Sequence, residues 1–232
     1  MLRRKKFSTM PEDRGNILTV ELLQRRWLTD DVFEIELKRP PDLQFKAGQT
    51  LRFIHESMER YYSLLSAPDD PTLKLCIYHV RRGKFSPMLA EARIGSAFNA
   101  TGPHGYFLFN PSDWKPVFVA TGTGIAPFAS MARSGVTDFI LLHEVESSRN
   151  LYYSELFQKV ATDYVPCLLN PSAPDPSPPG AFHGPASGYL KQYLPPAGYD
   201  FYLCGGRDMT RAVTLQADER FPGSYVFKEV FY

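Results

Sequence analysis

The stretch VFVATGTGIAPF, Val117 to Phe128, constrains this chain more than any other. Its opening run, Val117-Phe118-Val119-Ala120, is apolar and reads as a buried strand. The run ends in Thr121-Gly122-Thr123-Gly124. Ile125-Ala126-Pro127 then opens a helical pattern, with proline in the first turn, where a missing N–H costs nothing. Strand, glycine turn and helix start, in that order, form a phosphate site. The glycines let a pyrophosphate approach the backbone, and the helix N-terminus offers free N–H groups and partial positive charge. A βα turn also needs glycine for geometry alone, so the meaning of this one rests on its surroundings.

The bulk properties bound those surroundings. A chain of 232 residues makes one large domain or two small ones and buries a real core. A net charge of +1 points to no nucleic-acid partner. Cys76, Cys167 and Cys204 lie far apart and form no C-x-x-C pair, which argues against a zinc ribbon or a cysteine-ligated iron–sulfur cluster. So sparse a set fits reduced thiols, and a cytoplasmic location is expected. No apolar run reaches the length of a membrane span, so no membrane insertion is expected. The opening MLRRKKFSTMPEDRGN is basic but lacks the apolar region of a secretory signal. Residues 1–15 read as a solvated basic arm, the alternative being a basic surface for an acidic partner protein.

The first half of the chain reads as β structure. Ile17–Trp27, Val32–Lys38, Leu51–His55, Tyr61–Leu65 and Leu73–Val80 are short segments rich in β-branched, aromatic and leucine residues, punctuated by turn residues such as Pro40-Pro41-Asp42 and Arg82-Gly83. One helix interrupts them near Ser86–Ala92. Ala97–Thr101 and Tyr106–Leu108 are expected to complete an antiparallel β-barrel. After Pro111-Ser112-Asp113 the pattern changes. Strands at Val117–Ala120, Phe139–His143, Val165–Leu169 and Phe201–Leu203 alternate with helices near Pro127–Arg133, Tyr153–Ala161, Ser187–Tyr193 and Asp208–Glu219, the pattern of a parallel α/β sheet. The expected division is a barrel domain over 16–112 and an α/β domain over 113–232. The Pro-rich NPSAPDPSPPG, residues 170–180, reads as a surface loop inside the second domain.

Several smaller motifs carry two readings each. In Arg60-Tyr61-Tyr62-Ser63, strand alternation puts Arg60 and Tyr62 on one face and Tyr61 and Ser63 on the other. Ser86, after Arg82-Gly83-Lys84-Phe85, suits a helix N-cap, or a second phosphate site built with helix-start amides. Cys204 ends the apolar Phe201-Tyr202-Leu203 and precedes Gly205-Gly206. It is either a small buried hydrophobe or, from its place at the carboxyl end of a parallel strand, a site residue. The terminal VFKEVFY is a closing strand that ends on an aromatic. His55, His79, His104, His143 and His183 lack metal-ligand spacing, so no metal site is expected, and no G-x-S-x-G motif supports a hydrolase.

Taken in order, R-x-Y-S (Arg60, Tyr62, Ser63), G-x-x-S (Gly83, Ser86), G-P-x-G (Gly102, Pro103, Gly105), G-T-G-x-A-P (Gly122 to Pro127), C-G (Cys204, Gly205) and a terminal aromatic resemble the ferredoxin–NADP reductase family, in its bacterial ferredoxin/flavodoxin form. The resemblance runs from about Leu18 to Tyr232. It implies an FAD-binding barrel and an NAD(P)H-binding α/β domain. It further implies that Arg60 pairs with the flavin pyrophosphate, that Tyr62 stacks on the isoalloxazine and that Ser63 sits near flavin N5. Lys84, Phe85 and Ser86 would hold the flavin pyrophosphate, with Tyr78 or Tyr232 against the adenine. Thr121, Gly122, Thr123, Gly124 and Pro127 would cradle the nicotinamide dinucleotide. Cys204 and Gly205 would lie beside the nicotinamide, and Phe231 or Tyr232 would cover the other flavin face. Glu229 resembles the acidic residue near the C-terminus of the plant-type enzymes.

One departure bears on the nucleotide. Where the plant-type enzymes place a Ser-Arg pair that grips a 2′-phosphate, this chain reads Leu169-Asn170-Pro171. Ser148, Arg149 and Tyr152 or Tyr153 are the candidates to substitute. Family likeness slightly favours NADPH and the missing arginine favours NADH. The implied activity is hydride transfer from NAD(P)H to FAD, with electrons leaving one at a time to a ferredoxin or flavodoxin. A reductase component of an oxygenase and a non-catalytic nucleotide-binding module are the alternatives. A monomer is expected.

Overall fold

The computed structural model describes residues 17–170 and 176–231. The basic arm 1–15, the stretch 171–175 of the Pro-rich loop, and Tyr232 lie outside the described residues. The chain divides into two compact units. One holds the described residues up to Phe109 together with Ala126–Ser134, and the other holds Asn110–Ile125 and the residues from Gly135 onward.

The first unit is built on β1 (Leu18–Trp27), β2 (Val32–Lys38), β3 (Thr50–His55), β4 (Met58–Ser63), β5 (Thr72–Tyr78) and β6 (Ala97–His104). They pair antiparallel in the order β4-β3-β6-β1-β2-β5. A bridge between Leu64 and Leu75, with Leu65 N donating to Lys74 O at 2.8 Å, joins the chain just past β4 to β5, so the sheet closes on itself. Alternation supplies the core. Phe33, Ile35 and Leu37 of β2 stand opposite Ile77, Leu75 and Leu73 of β5, and all six are buried. Helix α1 (Phe85–Glu91) adds Phe85 and Leu89 to the same core. Arg25 Nη1 donates to Ala92 O at 2.7 Å, satisfying a carbonyl at its C-terminal end.

Two expectations are corrected here. Tyr106–Leu108 forms no strand. Its apolar character serves a side-chain contact instead: Phe107 is buried against Phe128 of helix α2 (Ala126–Arg133), with ring centroids 5.7 Å apart. That helix belongs to this unit, where Ser130 Oγ donates to Ser66 O at 2.6 Å and Arg133 Nη1 to Leu65 O at 2.7 Å. Nor is Ser86 the N-cap of α1. Lys84 holds that position without a side-chain bond, while Ser86 lies inside the first turn and its Oγ accepts from Val80 N at 2.9 Å.

The second unit is a six-stranded parallel sheet of β7 (Lys115–Thr121), β8 (Ile140–Val145), β9 (Asp163–Leu168), β10 (Phe182–His183), β11 (Tyr199–Gly205) and β12 (Tyr225–Val230). The order is β10-β9-β8-β7-β11-β12. Helices α3 (Ser154–Val160), α4 (Ala186–Tyr193) and α5 (Arg207–Arg220) complete it. Alternation separates two faces. Val117, Val119, Phe201 and Leu203 pack with Leu190 of α4 and Val213 of α5. On the other face lies an aromatic layer, with Phe118 stacked on Phe139 at 4.4 Å and Tyr202 on Phe227 at 4.7 Å. The chain runs outward from β7 in one direction through β8 and β9, and returns to the other side of β7 as β11. The carboxyl ends of β7 and β11 therefore flank the point where the strand order reverses, the place where open α/β sheets bind ligands. No helix among the described residues is long and apolar enough to cross a membrane.

Barrel closure rests on β5, so Leu75→Ala should destabilise the protein by about 2–5 kcal/mol, read as a lowered urea midpoint of the barrel transition. A loss under about 1 kcal/mol would show that the bridge region collapses around the gap.

Candidate functional site

The barrel unit presents β4 and the start of α1. In register, Tyr62 stands opposite Leu51 and Arg60 opposite Phe53, so both lie on the same face of the strand. Tyr62 is half-buried between Phe53 and Phe85, with ring centroids at 5.7 and 6.2 Å. Burial pushes its phenol well above the usual range, opposed by the Arg60 charge. Arg60 is exposed and its Nη1 donates to the Glu59 carbonyl at 2.7 Å. On the opposite face Ser63 is buried, yet its Oγ meets no hydrogen-bond partner among the described residues. Burying an unsatisfied hydroxyl costs roughly 1–3 kcal/mol, so this one calls for an acceptor or donor from outside the chain. Gly83 closes a tight turn through its N–H to Val80 O at 2.7 Å. After it Lys84 is exposed, while Phe85 and Ser86 are buried. Tyr78 is exposed at the far end of β5.

On the parallel-sheet unit the segments after β7, β11 and β12 converge. Gly122–Ile125 forms a 3-10 turn directly after β7. A Cβ on Gly124 would overlap the Cys204 carbonyl and sit 2.9 Å from Gly205 Cα, so only glycine lets these backbones lie so close. Gly205 has φ +133°, and a Cβ there would overlap the Thr121 hydroxyl. Thr121 Oγ1 accepts from Gly206 N at 2.7 Å, and Phe231 N donates to Gly205 O at 2.9 Å. Thr123 is half-buried in the turn and Pro127 is buried in the first turn of α2. Cys204 is fully buried opposite Glu229 of β12. Burial, and then the neighbouring Glu229, hold its thiol well above the ordinary value. Burial thus favours the neutral thiol form of Cys204.

Behind the glycine turn sits a group the sequence reading left as structural. His143 of β8 is fully buried, with Nδ1 3.2 Å from the Tyr164 hydroxyl. Burial pushes its pKa down to about 4, against a contribution from the Gly122 backbone that raises it. Beyond β8, Ser148–Asn150 forms a 3-10 turn. Arg149 is exposed there, and Tyr153 has a left-handed φ of +61° at the N-cap of α3. Of the two tyrosines weighed for the nucleotide, Tyr152 is buried, with its hydroxyl accepting from Asn150 Nδ2 at 3.0 Å. Among the described residues no group of His, Cys, Asp and Glu side chains is placed to hold a metal ion.

Comparison with known proteins defines the class. Residues 20–109 match the family profile of the oxidoreductase FAD-binding domain, and residues 118–214 that of the oxidoreductase NAD-binding domain. The two matches in sequence take in most of the chain and give it an FAD-binding and an NAD-binding oxidoreductase domain in succession. Among curated relatives, ferredoxin–NADP reductase B of Sorangium cellulosum is 38% identical over 98 residues, 40% of each protein. The flavodoxin/ferredoxin–NADP reductase of Escherichia coli is 30% identical over 148 residues, 59% of each. The chain thus matches between 40% and 59% of the length of these relatives. Among solved structures, the Amycolatopsis cytochrome P450 reductase GcoB superposes with a TM-score of 0.80 at 25% identity, over 93% of this chain and 70% of that one.

Two outcomes test this geometry. Gly124→Ala should cost about 1–3 kcal/mol, because the added Cβ meets backbone that must move. It should also weaken dinucleotide binding, measured by calorimetry. Acid should act through His143. An unfolded chain protonates this imidazole near pH 6.5 and the folded chain only near 4, so the stability it contributes is present above about 6.5 and lost as pH falls towards 4. The loss is at most about 3 kcal/mol. Urea midpoints at pH 7 and 5 should fall less for His143→Gln than for the wild type.

Proposed function

We propose that this chain is an FAD-dependent reductase that takes hydride equivalents from NAD(P)H and delivers electrons singly to a separate carrier, a ferredoxin or a flavodoxin. The observation that carries this reading is the succession of an FAD-binding and an NAD-binding oxidoreductase domain within one chain. Two features of the residues fit the cofactors. The buried Ser63 hydroxyl lacks a partner among the described residues, and the glycine cradle at Gly124 and Gly205 has no room for side chains.

In this reading Arg60, as a guanidinium fork, binds the flavin pyrophosphate together with Lys84, Phe85 and Ser86. Tyr62 offers a neutral aromatic face to the ring system, and burial raises its phenol pKa further above the ordinary value. FAD, when bound, supplies the capacity to accept a hydride and to release electrons one at a time. Ser63 donates its hydroxyl hydrogen to the flavin N5 edge, where electron density grows on reduction. Thr121, Gly122, Thr123, Gly124 and Pro127 seat the dinucleotide pyrophosphate on backbone amides. Cys204 and Gly205 shape the nicotinamide seat, with Glu229 opposite Cys204 on the neighbouring strand and the Phe231 amide tied to Gly205 O. Tyr232 lies outside the described residues. The protein's own contribution is orientation and exclusion of water. A reductase component of an oxygenase is the second reading, favoured by the likeness to the P450 reductase over nearly the whole chain.

Purified protein should be yellow and release FAD, identified by mass; FMN alone would reject the cofactor assignment. Ser63→Val should retain FAD and slow flavin reduction in stopped flow by about 100- to 1,000-fold, the cost of one preorganised donor. Wild-type rates in Ser63→Val would remove this hydroxyl from the reaction. A colourless protein without diaphorase activity would favour a non-catalytic module. Turnover with an oxygenase component, and none with ferredoxin or flavodoxin, would favour the second reading.

A further inference from the structure

The carboxyl edge beyond the glycine turn carries a charge pattern that the reductase reading has not used. Strand β8 ends at Val145, and the two acidic residues flanking that end, Glu144 and Glu146, stand about 20 residues past the glycine turn. In βαβ dinucleotide units this is the place that meets the adenosine ribose, with a carboxylate accepting from a free 2′-hydroxyl or a cation receiving a 2′-phosphate.

The two carboxylates have different duties. Glu144 is buried, and its Oε2 accepts from Ala186 N at 2.8 Å, so it is committed to the first turn of α4. Burial raises its pKa, and the nearby Glu146 charge raises it further. Glu146 is exposed. Its backbone carbonyl accepts from Asn170 N at 2.9 Å, which fixes it where the segments after β8 and β9 meet. Cations are sparse in the segments that follow β8 and β9. From Val160 to Leu190 the chain holds no lysine or arginine, so β9, β10 and the start of α4 supply none, and His183 is their one titratable base. Arg149 lies three residues beyond Glu146. A dianionic 2′-phosphate would add two more negative charges beside these carboxylates.

We infer that this nucleotide site selects NADH over NADPH, with the exposed Glu146 carboxylate as the specificity-determining group. The inference rests on the reductase reading above and names its electron donor. Glu146 accepts hydrogen bonds from the ribose hydroxyls of NADH and repels the phosphate of NADPH. Because the site is solvated, the discrimination is tens-fold and not absolute.

The test compares NADH with NADPH and 5′-AMP with 2′-phospho-AMP on the FAD-loaded protein, as wild type, Glu146→Gln and Glu146→Arg. Wild type should show a kcat/KM at least about tenfold higher for NADH in ferricyanide reduction, and should bind 5′-AMP more tightly than 2′-phospho-AMP in calorimetry. Glu146→Gln should narrow both ratios, and Glu146→Arg should invert the binding ratio through a fall in Kd for 2′-phospho-AMP, with an unchanged melting transition. A wild-type preference for NADPH, or a binding ratio that Glu146→Arg moves less than twofold, would overturn the inference while leaving the reductase reading intact. Neither dinucleotide reducing the flavin, with neither adenylate bound, would overturn the reductase reading itself and the inference with it.

Discussion

The architecture of the second unit turns on the approach of Gly124 to the Cys204–Gly205 backbone. Strands β7 and β11 are neighbours in register, Ala120 beside Cys204, and the segments that follow them cross the same edge. They fit only because Gly124 and Gly205 have no side chains. Once they are together, the Thr121 hydroxyl satisfies the Gly206 amide, and the Gly205 carbonyl takes up the Phe231 amide. Backbone groups left unpaired at strand ends are costly unless a partner reaches them, and here the partners are the neighbouring segments. The same knot places the 3-10 turn, Cys204 and the Phe231 backbone on one edge of the sheet.

Much of this architecture is legible in the sequence because the strands carry composition matched to their burial. β2 runs over Val32–Lys38, the segment its alternation marks, and the change from β-rich to alternating β and α after Pro111 locates the second sheet. The departures have a common cause. Tyr106–Leu108 has the composition of a strand because β-propensity measures fit to a half-buried surface, and Phe107 finds that surface on Phe128 without pairing to a strand. Strand β10 is two residues long and too short to leave a periodic signal. Ser86 looks like a cap because a serine before proline opens many helices, but the helix begins one residue earlier and the serine answers Val80 instead.

The candidate site is legible to a different degree. The glycines announce themselves, since close backbone approach and positive φ select glycine whatever the ligand. Ser63 and Cys204 do not. Each has the composition of ordinary core, and only the coordinates separate a serine hydroxyl without a partner among the described residues from a satisfied one. The duty of Glu144 was equally hidden: a carboxylate in an apolar strand looks like an anomaly until the Ala186 amide 42 residues away is brought to it. Long-range partners of this kind leave no local pattern for a single sequence to display.

Folding and recognition accordingly draw on different parts of the same sheet. The two faces are closed by apolar and aromatic packing, Val119, Phe201 and Leu203 against α4 and α5 on one and the Phe118–Phe139 and Tyr202–Phe227 stacks on the other. A change there is felt as stability, because the interior has no slack. The carboxyl edge has exposed positions such as Glu146 and Arg149 beside the tightly built glycine knot. Charge at the exposed positions can change without disturbing the packing beneath, since surface substitutions away from special geometry usually move stability by less than about 0.5 kcal/mol. Under the proposed assignment, with the pyrophosphate seated on backbone and glycine and the ribose read by exposed side chains, such a fold can exchange one dinucleotide for the other without rebuilding the sheet.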